Sequence, residues 1–513
     1  MKGECSLKYT CTRNRAESVE AAQAIAQGIS ASGGLFVPEE MPQIFYAEFC
    51  TMQTMNYTEL AQHILAKFLT DFTPEEIREC AEAAYRADKF SGGHPAPVVM
   101  LQNGDITQYA MELWHGPTCA FKDMALQILP HLLVKSLAKT TPGKTAVILV
   151  ATSGDTGKAA LEGFKDVDGT RVLVFYPQNG VSPMQKRQMV TQEGSNVGVC
   201  AIEGNFDDAQ TAVKGIFTDS MMQQTLAQHN MMFSSANSIN WGRLLPQIIY
   251  YFSAYCQLMN SGEIDYEGEK VNFVVPTGNF GDILAAYYAM QMGLPVNHLI
   301  CASNENNVLT DFIRTGTYDR RRPFHTTISP SMDILVSSNL ERLLFHMTDG
   351  NAEKVAGWMR QLNETGSYTV DAETLARIQA VFHAGFCDDA STKQAIRSMK
   401  ETENYLCDPH SAVAFEVYHQ YVAETGDKET PTVVVSTASP YKFAASVLDA
   451  LGSELYAQDG VNDEFEQVYQ LSAMTGVEVP QPIQALAGKS VRFEDVSSVA
   501  DMRQAVLRLA GLS

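Results

Sequence analysis

A continuous apolar run that empties into a glycine-rich turn and then a helix recurs along this chain, and few folds accept that pattern. Thr145–Ala151 reads TAVILVA and is bounded by turn residues. A strand with no polar face must be covered on both sides, as in a parallel sheet sandwiched between helices. The run leads through Thr152-Ser153-Gly154-Asp155-Thr156-Gly157 into a helix opening with Lys158 and Ala159. Val271–Pro276, the turn Thr277–Asp282 and a helix from Ile283 repeat the unit, and further strands are expected at 171–176, 196–202 and Thr432–Ser436. The expected class is therefore α/β with open parallel sheets, whose strands end in loops that converge on one crevice.

At 513 residues the chain exceeds one compact core, so two or three domains are expected. Residues 1 to about 95 form the first, rich in Ala, Glu and Gln, with helical periodicity strongest over Tyr57–Phe68 and Pro74–Tyr85. Thr73-Pro74-Glu75-Glu76 supplies a cap, a proline at the first helical position and a carboxylate three residues on. The strand-turn-helix pattern begins near residue 96, and no chemistry is legible before it. Leu244–Gly262 is uncharged but contains Pro246, Gln247, Gln257 and Asn260, so it reads as a buried helix rather than a membrane span.

Charge narrows the partners. Lys+Arg 37 against Asp+Glu 59 gives −22, which disfavours nucleic acid and anionic membranes and demands a local basic cluster for any phosphorylated ligand. Ten scattered cysteines show no metal-ligand spacing, so no metal is expected and the thiols read as reduced. The first residues lack the apolar stretch of a signal peptide, and a cytoplasmic location is expected.

Candidate chemistry concentrates in few places. Lys122 follows the turn Gly116-Pro117 at the start of an apolar helix. A poorly solvated amine there tends toward the neutral nucleophile that forms a Schiff base with an aldehyde, although a surface lysine on an amphipathic helix is the ordinary alternative. The turns at 152–157 and 277–282 suit an anion at a helix N-terminus, or are simply tight connections. Glycines at 278 and 281 would allow either close approach of a phosphate or a positive φ. Asp155 at the mouth of such a site requires a positive partner. Lys186 and Arg187 could hold a phosphate or form a solvated helix face. The loop 235–243, ending in Arg243, suits a carboxylate or phosphate, or caps the helix that follows. Neither turn carries the dinucleotide or mononucleotide glycine fingerprint.

Taken together, HGPT-x-AFKD at 115–123, SGDTG at 153–157, SPMQKRQM at 182–189, NSINWGR at 237–243, TGNFGD at 277–282 and STASPYKF at 436–443 resemble the threonine synthase family. Tyr9-Thr10 and SGGLFVPEEMP at 32–42 extend the likeness toward the N-terminus. The resemblance implies a pyridoxal-phosphate enzyme of fold type II: an N-terminal, mainly helical domain (1–95) and two parallel-sheet lobes. The first lobe (96–260) would carry the Schiff-base lysine and the SGDTG loop. The second (261–513) would carry the cofactor-phosphate loop and a C-terminal extension. It further implies Lys122 as Schiff-base lysine and proton shuttle, and Asp155 beside the cofactor's phenolic oxygen. Gly278, Asn279, Phe280 and Gly281 would lie around the cofactor phosphate, with Thr437 at the pyridine nitrogen. Ser153, Gly154 and Thr156 would take the substrate carboxylate, and Lys158, Lys186, Arg187 and Arg243 are candidates for the substrate phosphate. Ser439 departs from the family, whose version reads STAHP. The implied lyase reaction is O-phospho-L-homoserine plus water to L-threonine and phosphate, by a monomer or homodimer. Two alternatives remain: a threonine-synthase-like phospho-lyase that eliminates without hydration, and a non-catalytic binding relative.

Overall fold

Strand pairing sorts the apolar runs into two sheets. The computed structural model describes residues 6–103, 106–152, 154–179, 181–265, 268–453 and 464–512. The larger sheet runs, edge to edge, Phe382–Phe386, Val296–Ser303, Val271–Pro276, Thr432–Ser436, Ile106–Glu112 and Val98–Asn103. All neighbours are parallel except the last pair, an antiparallel hairpin. The second sheet is wholly parallel: Val496–Ser498, Val197–Glu203, Thr170–Pro177, Thr145–Ala151 and Met231–Ser234. Val271–Pro276 is buried at every position, as a strand covered on both faces must be.

The contiguous lobes expected at 96–260 and 261–513 need correction. Ile106–Glu112 pairs with Thr432–Ser436, and the C-terminal strand Val496–Ser498 joins Val197–Glu203 in the other sheet. Burial pattern shows that a strand needs neighbours but not which ones, so the exchange of strands between sheets is invisible to periodicity. The exchange has a consequence for the site, because it brings the chain just before Lys122 beside the end of Thr432–Ser436.

The N-terminal region is mainly helical but also holds a three-stranded antiparallel sheet of Asn14–Val19, Tyr9–Cys11 and Phe36–Pro38. Its helices Tyr57–Phe68 and Pro74–Tyr85 fall where the periodicity places them. Thr73 Oγ1 accepts from Glu76 N (3.2 Å), and the Glu76 carboxylate accepts from Thr73 N (2.8 Å). Gln247–Ser261 is a helix buried along nearly its whole length, ending at Gly262 in the left-handed region. Among the described residues no helix is long and apolar enough to cross a membrane.

Trp241 ties these parts together. Its ring lies 5.3 Å from Tyr9, 5.7 Å from Phe68 and 5.5 Å from Tyr288, joining the N-terminal sheet and helices to the helix Gly281–Gln291. Each such pair contributes about 0.5–1.5 kcal/mol beyond area burial. The cluster also fixes the segment that carries Arg243, two residues on.

Candidate active site

Lys122 is positioned by a turn that folds on its own aspartate. Asp123 accepts from Thr118 N and Thr118 Oγ1, both at 2.8 Å. A Cβ at Gly116 would lie 2.5 Å from Asp123 Oδ2, so only glycine fits there. Burial pushes the Asp123 carboxyl up to about 6 in spite of the Thr118 bonds. Cys119 then turns through φ 57°, and the chain stitches itself to the STASPYKF loop. Phe121 N donates to Thr437 O (2.8 Å) and Ser439 N to Cys119 O (3.1 Å). Lys122 caps the short helix Asp123–Leu126. Its Nζ lies 3.3 Å from Ser331 Oγ, 3.7 Å from Asp155 Oδ2 and 4.8 Å from the centre of the Phe121 ring.

The amine is 8 % exposed, and its pKa is lowered to about 8. Loss of water is the main cause. Asp155 pulls in the opposite direction, while Arg243 and Lys442 add repulsion.

Asp155 opens the helix Asp155–Phe164, after the strand Thr145–Ala151. Thr152 Oγ1 accepts from Gly154 N (3.0 Å) and Gly157 N (2.9 Å), which shapes the turn. Gly154 has φ 139°, and a Cβ there would sit 2.3 Å from Gln185 Cδ. The Asp155 carboxylate faces two lysines. Oδ1 receives Lys442 Nζ at 2.7 Å and Gln185 Nε2 at 2.9 Å, while Oδ2 faces Lys122 and accepts from Ser331 Oγ at 3.4 Å. Burial alone would raise its pKa, but the two cations more than offset that and hold it well below the usual carboxylate range.

The third element is the turn between Val271–Pro276 and the helix Gly281–Gln291. The left-handed residue here is Phe280 (φ 62°), whereas neither Gly278 nor Gly281 has a positive φ. What Gly278 permits is close approach: a Cβ would lie 2.7 Å from Ser331 O. Ser337 Oγ donates to Gly278 O (2.8 Å) and Asn339 N to Asn279 O (3.0 Å), while the Asn279 side chain is exposed and accepts from Ser338 Oγ (3.4 Å). Behind the turn, Asp282 accepts from Tyr250 OH (2.5 Å) and Tyr251 OH (2.6 Å), and burial pushes its carboxyl up to about 6.

The four candidate cations separate clearly. Arg243 is buried, donates through Nη1 to Ala236 O (2.9 Å), and is lowered to about 10 by burial, with no carboxylate among the described residues compensating it. Lys158 is also buried, but it pairs with Glu162 at 2.9 Å and bonds Gln192. Arg187 donates to Leu486 O and Lys489 O in the C-terminal segment (3.3 and 2.6 Å). Lys186 is exposed. The buried face of the helix Pro183–Val190 carries glutamines instead: Gln185 reaches Asp155, and Gln188 Nε2 reaches Thr118 O (3.3 Å). Their i, i+3 spacing was the available signal. Thr437 is buried with its amide on Ser411 Oγ (3.2 Å), Thr156 is partly exposed beside Asp155, and Ser153 lies outside the described residues. Ser439 Oγ accepts from Tyr441 N (3.4 Å), capping the turn Pro440–Phe443 that delivers Lys442.

Sequence reasoning missed Lys442 and Ser331. Ser331 is carried by the turn Pro330–Met332, whose Ser331 N donates to His410 Nε2 (3.1 Å), with His410 Nδ1 on Asp408 Oδ2 (2.6 Å). The set of a lysine with a depressed pKa, a helix N-terminus approached through a glycine turn and a buried uncompensated guanidinium suits a ligand with an aldehyde and a phosphate.

Three family descriptions cover most of the chain: "Threonine synthase N terminus" over residues 8–85, "Pyridoxal-phosphate dependent enzyme" over 90–388 and "Threonine synthase, C-terminal" over 411–506. Threonine synthase-like 1 of Macaca fascicularis is 41% identical over 84% of this chain, which spans only 58% of that relative's length. Threonine synthase of Pseudomonas aeruginosa is 38% identical over 86% of this chain and 90% of its own. The crystal structure of PLP-bound threonine synthase from Brucella melitensis superposes with a TM-score of 0.85 at 35% identity, covering 98% of this chain and 100% of that one.

Proposed function

The chain belongs to the threonine synthase family of pyridoxal-phosphate-dependent enzymes, and on that premise we propose that it converts O-phospho-L-homoserine and water to L-threonine and phosphate. The observation that carries the reading is Lys122, a buried amine near neutrality whose carboxylate neighbour is already bonded elsewhere. Lys122 would hold the cofactor, with Gly278, Asn279, Phe280 and Gly281 around its phosphate, Thr437 at its ring nitrogen and Asp155 near its phenolic oxygen. When bound, the cofactor supplies an electron sink for charge developing on the substrate.

The chain's own residues then bind, orient and move protons. Ser153, Gly154 and Thr156 receive the substrate carboxylate, and Arg243 receives its phosphate. Lys122 Nζ takes the Cα proton and then serves Cβ, so that the Cγ–O bond breaks with its electron pair leaving on phosphate. Water adds its hydroxyl at Cβ, and protons return to Cα and Cγ. An amine near pH 8 suits both directions of transfer. The reading includes a cytoplasmic monomer or homodimer.

A second reading, elimination from a phosphorylated amino acid without hydration, draws support from the 41% identity to a protein named threonine synthase-like 1. Incubating the holoenzyme with O-phosphohomoserine separates the readings. Threonine is expected, 2-oxobutyrate would establish the lyase, and bound cofactor with no product would favour a binding protein.

A further inference from the structure

Two lysines face one carboxylate in this site, and one of them cannot touch a ligand. The Lys442 side chain has no accessible surface. Its ammonium is enclosed by Asp155 Oδ1 (2.7 Å) and Thr118 O (2.9 Å), at the base of the turn that carries Lys122. Lys122 stands on the other oxygen of the same carboxylate at 3.7 Å, beyond a normal hydrogen bond. Gln185 and Ser331 complete the ring around Asp155; Arg243 and the Asp282 carboxyl also act on Lys122, and the Asp123 carboxyl and Cys119 thiol lie within the field of Lys442.

A buried carboxylate left without a partner is strongly unfavourable. Were Asp155 served only by Lys122, the pair would close and the amine would be held protonated. We propose that Lys442 is a positioning residue: it is the dedicated counter-ion of Asp155, so that Lys122 stands beside a carboxylate without being locked to it and stays free to exchange protons. The inference rests on the reading of Lys122 as the cofactor-bearing lysine. Nothing in the order of the sequence suggests the pair, since Lys442 and Asp155 lie on different sheets' loops; the bonds between Cys119–Phe121 and Thr437–Ser439 set Lys442 against the turn that carries Lys122.

The test is the pH titration of the visible absorption of the resting holoenzyme, which follows the protonation of the cofactor–lysine linkage without turnover. Lys442→Met leaves the Asp155 charge to that linkage alone and removes a repelling cation, so the midpoint should rise by about 1–3 pH units. Lys442→Arg should titrate near wild type. The double variant Asp155→Asn/Lys442→Met, with the carboxylate gone, should fall to the wild-type midpoint or below. A wild-type midpoint in Lys442→Met, with the cofactor still on Lys122, overturns the inference. If Lys442→Met does not fold, the double variant decides. Recovery of folded, cofactor-bearing protein with a midpoint at or below wild type supports the counter-ion role, and failure of the double variant to fold overturns it. Peptide mapping after borohydride reduction keeps the two failures apart, because trapping of another lysine in the wild type sinks the Lys122 reading itself.

Discussion

Lys122 and Lys158 are both buried lysines at the start of helices that follow sheet strands, and their surroundings could hardly differ more. Lys158 has a carboxylate of its own, Glu162, one helical turn on at 2.9 Å, and donates a further hydrogen bond to Gln192 Oε1. Burial would raise the Glu162 carboxyl, yet Lys158 holds it down at about 2. Lys122 has no such partner in its own helix. The carboxylate it faces is already occupied by Lys442 and Gln185, and its amine falls to about 8. Burial alone therefore does not make a lysine reactive. What matters is whether the nearest carboxylate is free to claim it.

The largest effects test the two halves of this contrast. Lys122→Ala should abolish the borohydride-reducible adduct and lower kcat by at least about 10²–10⁴-fold, the range for a lost proton-transfer group. Its thermal stability should change little, since the amine makes no full ion pair. Lys158→Met should do the reverse. It leaves Glu162, partly exposed and still accepting from Gln192 Nε2 at 3.0 Å, without its lysine, at about 1–3 kcal/mol in denaturant unfolding, while the cofactor stays attached to Lys122. Adding Glu162→Gln should recover most of that loss. The contrast breaks if Lys158→Met empties the site of cofactor at full stability.

Arg243 sharpens the comparison as a buried cation with no compensating carboxylate among the described residues. If an uncompensated buried charge marks a ligand contact, Arg243→Met should raise KM for O-phosphohomoserine so that kcat/KM falls about ten- to a hundredfold, with the cofactor spectrum intact. A fall confined to KM indicates uniform binding of the phosphate, and a fall in kcat indicates stabilisation of its departure. Unaltered kinetics would make Arg243 a clamp for the Ala236 carbonyl and no more.

Legibility in the sequence followed the range of the interactions. Thr145–Ala151, Val271–Pro276 and the Thr73 capping box were readable because each is decided within a few residues. Asp155's need for a cation was also readable, as a demand of local chemistry. Its answer was not, because Lys442 arrives from a different strand end through contacts that no periodicity encodes. The positive φ fell on Phe280 rather than on a neighbouring glycine for a related reason. The glycine at 278 is required by the distant Ser331 carbonyl, which leaves the turn's left-handed position to a buried aromatic side chain. The contiguous lobes failed because Ile106–Glu112 and Val496–Ser498 pair across the expected boundary.

The smallest expected effect belongs to Lys186, and it tests the rule from the outside. Lys186 and Arg187 are adjacent on the helix Pro183–Val190, whose buried side is made by Met184, Gln185, Gln188 and Met189. Arg187 is engaged by the carbonyls of Leu486 and Lys489, while Lys186 points into water. An ammonium there is screened within about 8–10 Å by physiological salt, so it can assist the approach of a dianionic substrate but cannot hold it. Lys186→Ala should therefore change kcat/KM by no more than about fivefold, in keeping with the 0–1 kcal/mol typical of exposed charges, and the difference should vanish as salt is raised. A tenfold, salt-resistant rise in KM would mean that the helix turns inward when substrate binds and brings Lys186 onto the phosphate. Burial in the substrate-free fold would then no longer distinguish the cations that act from those that only solvate the surface.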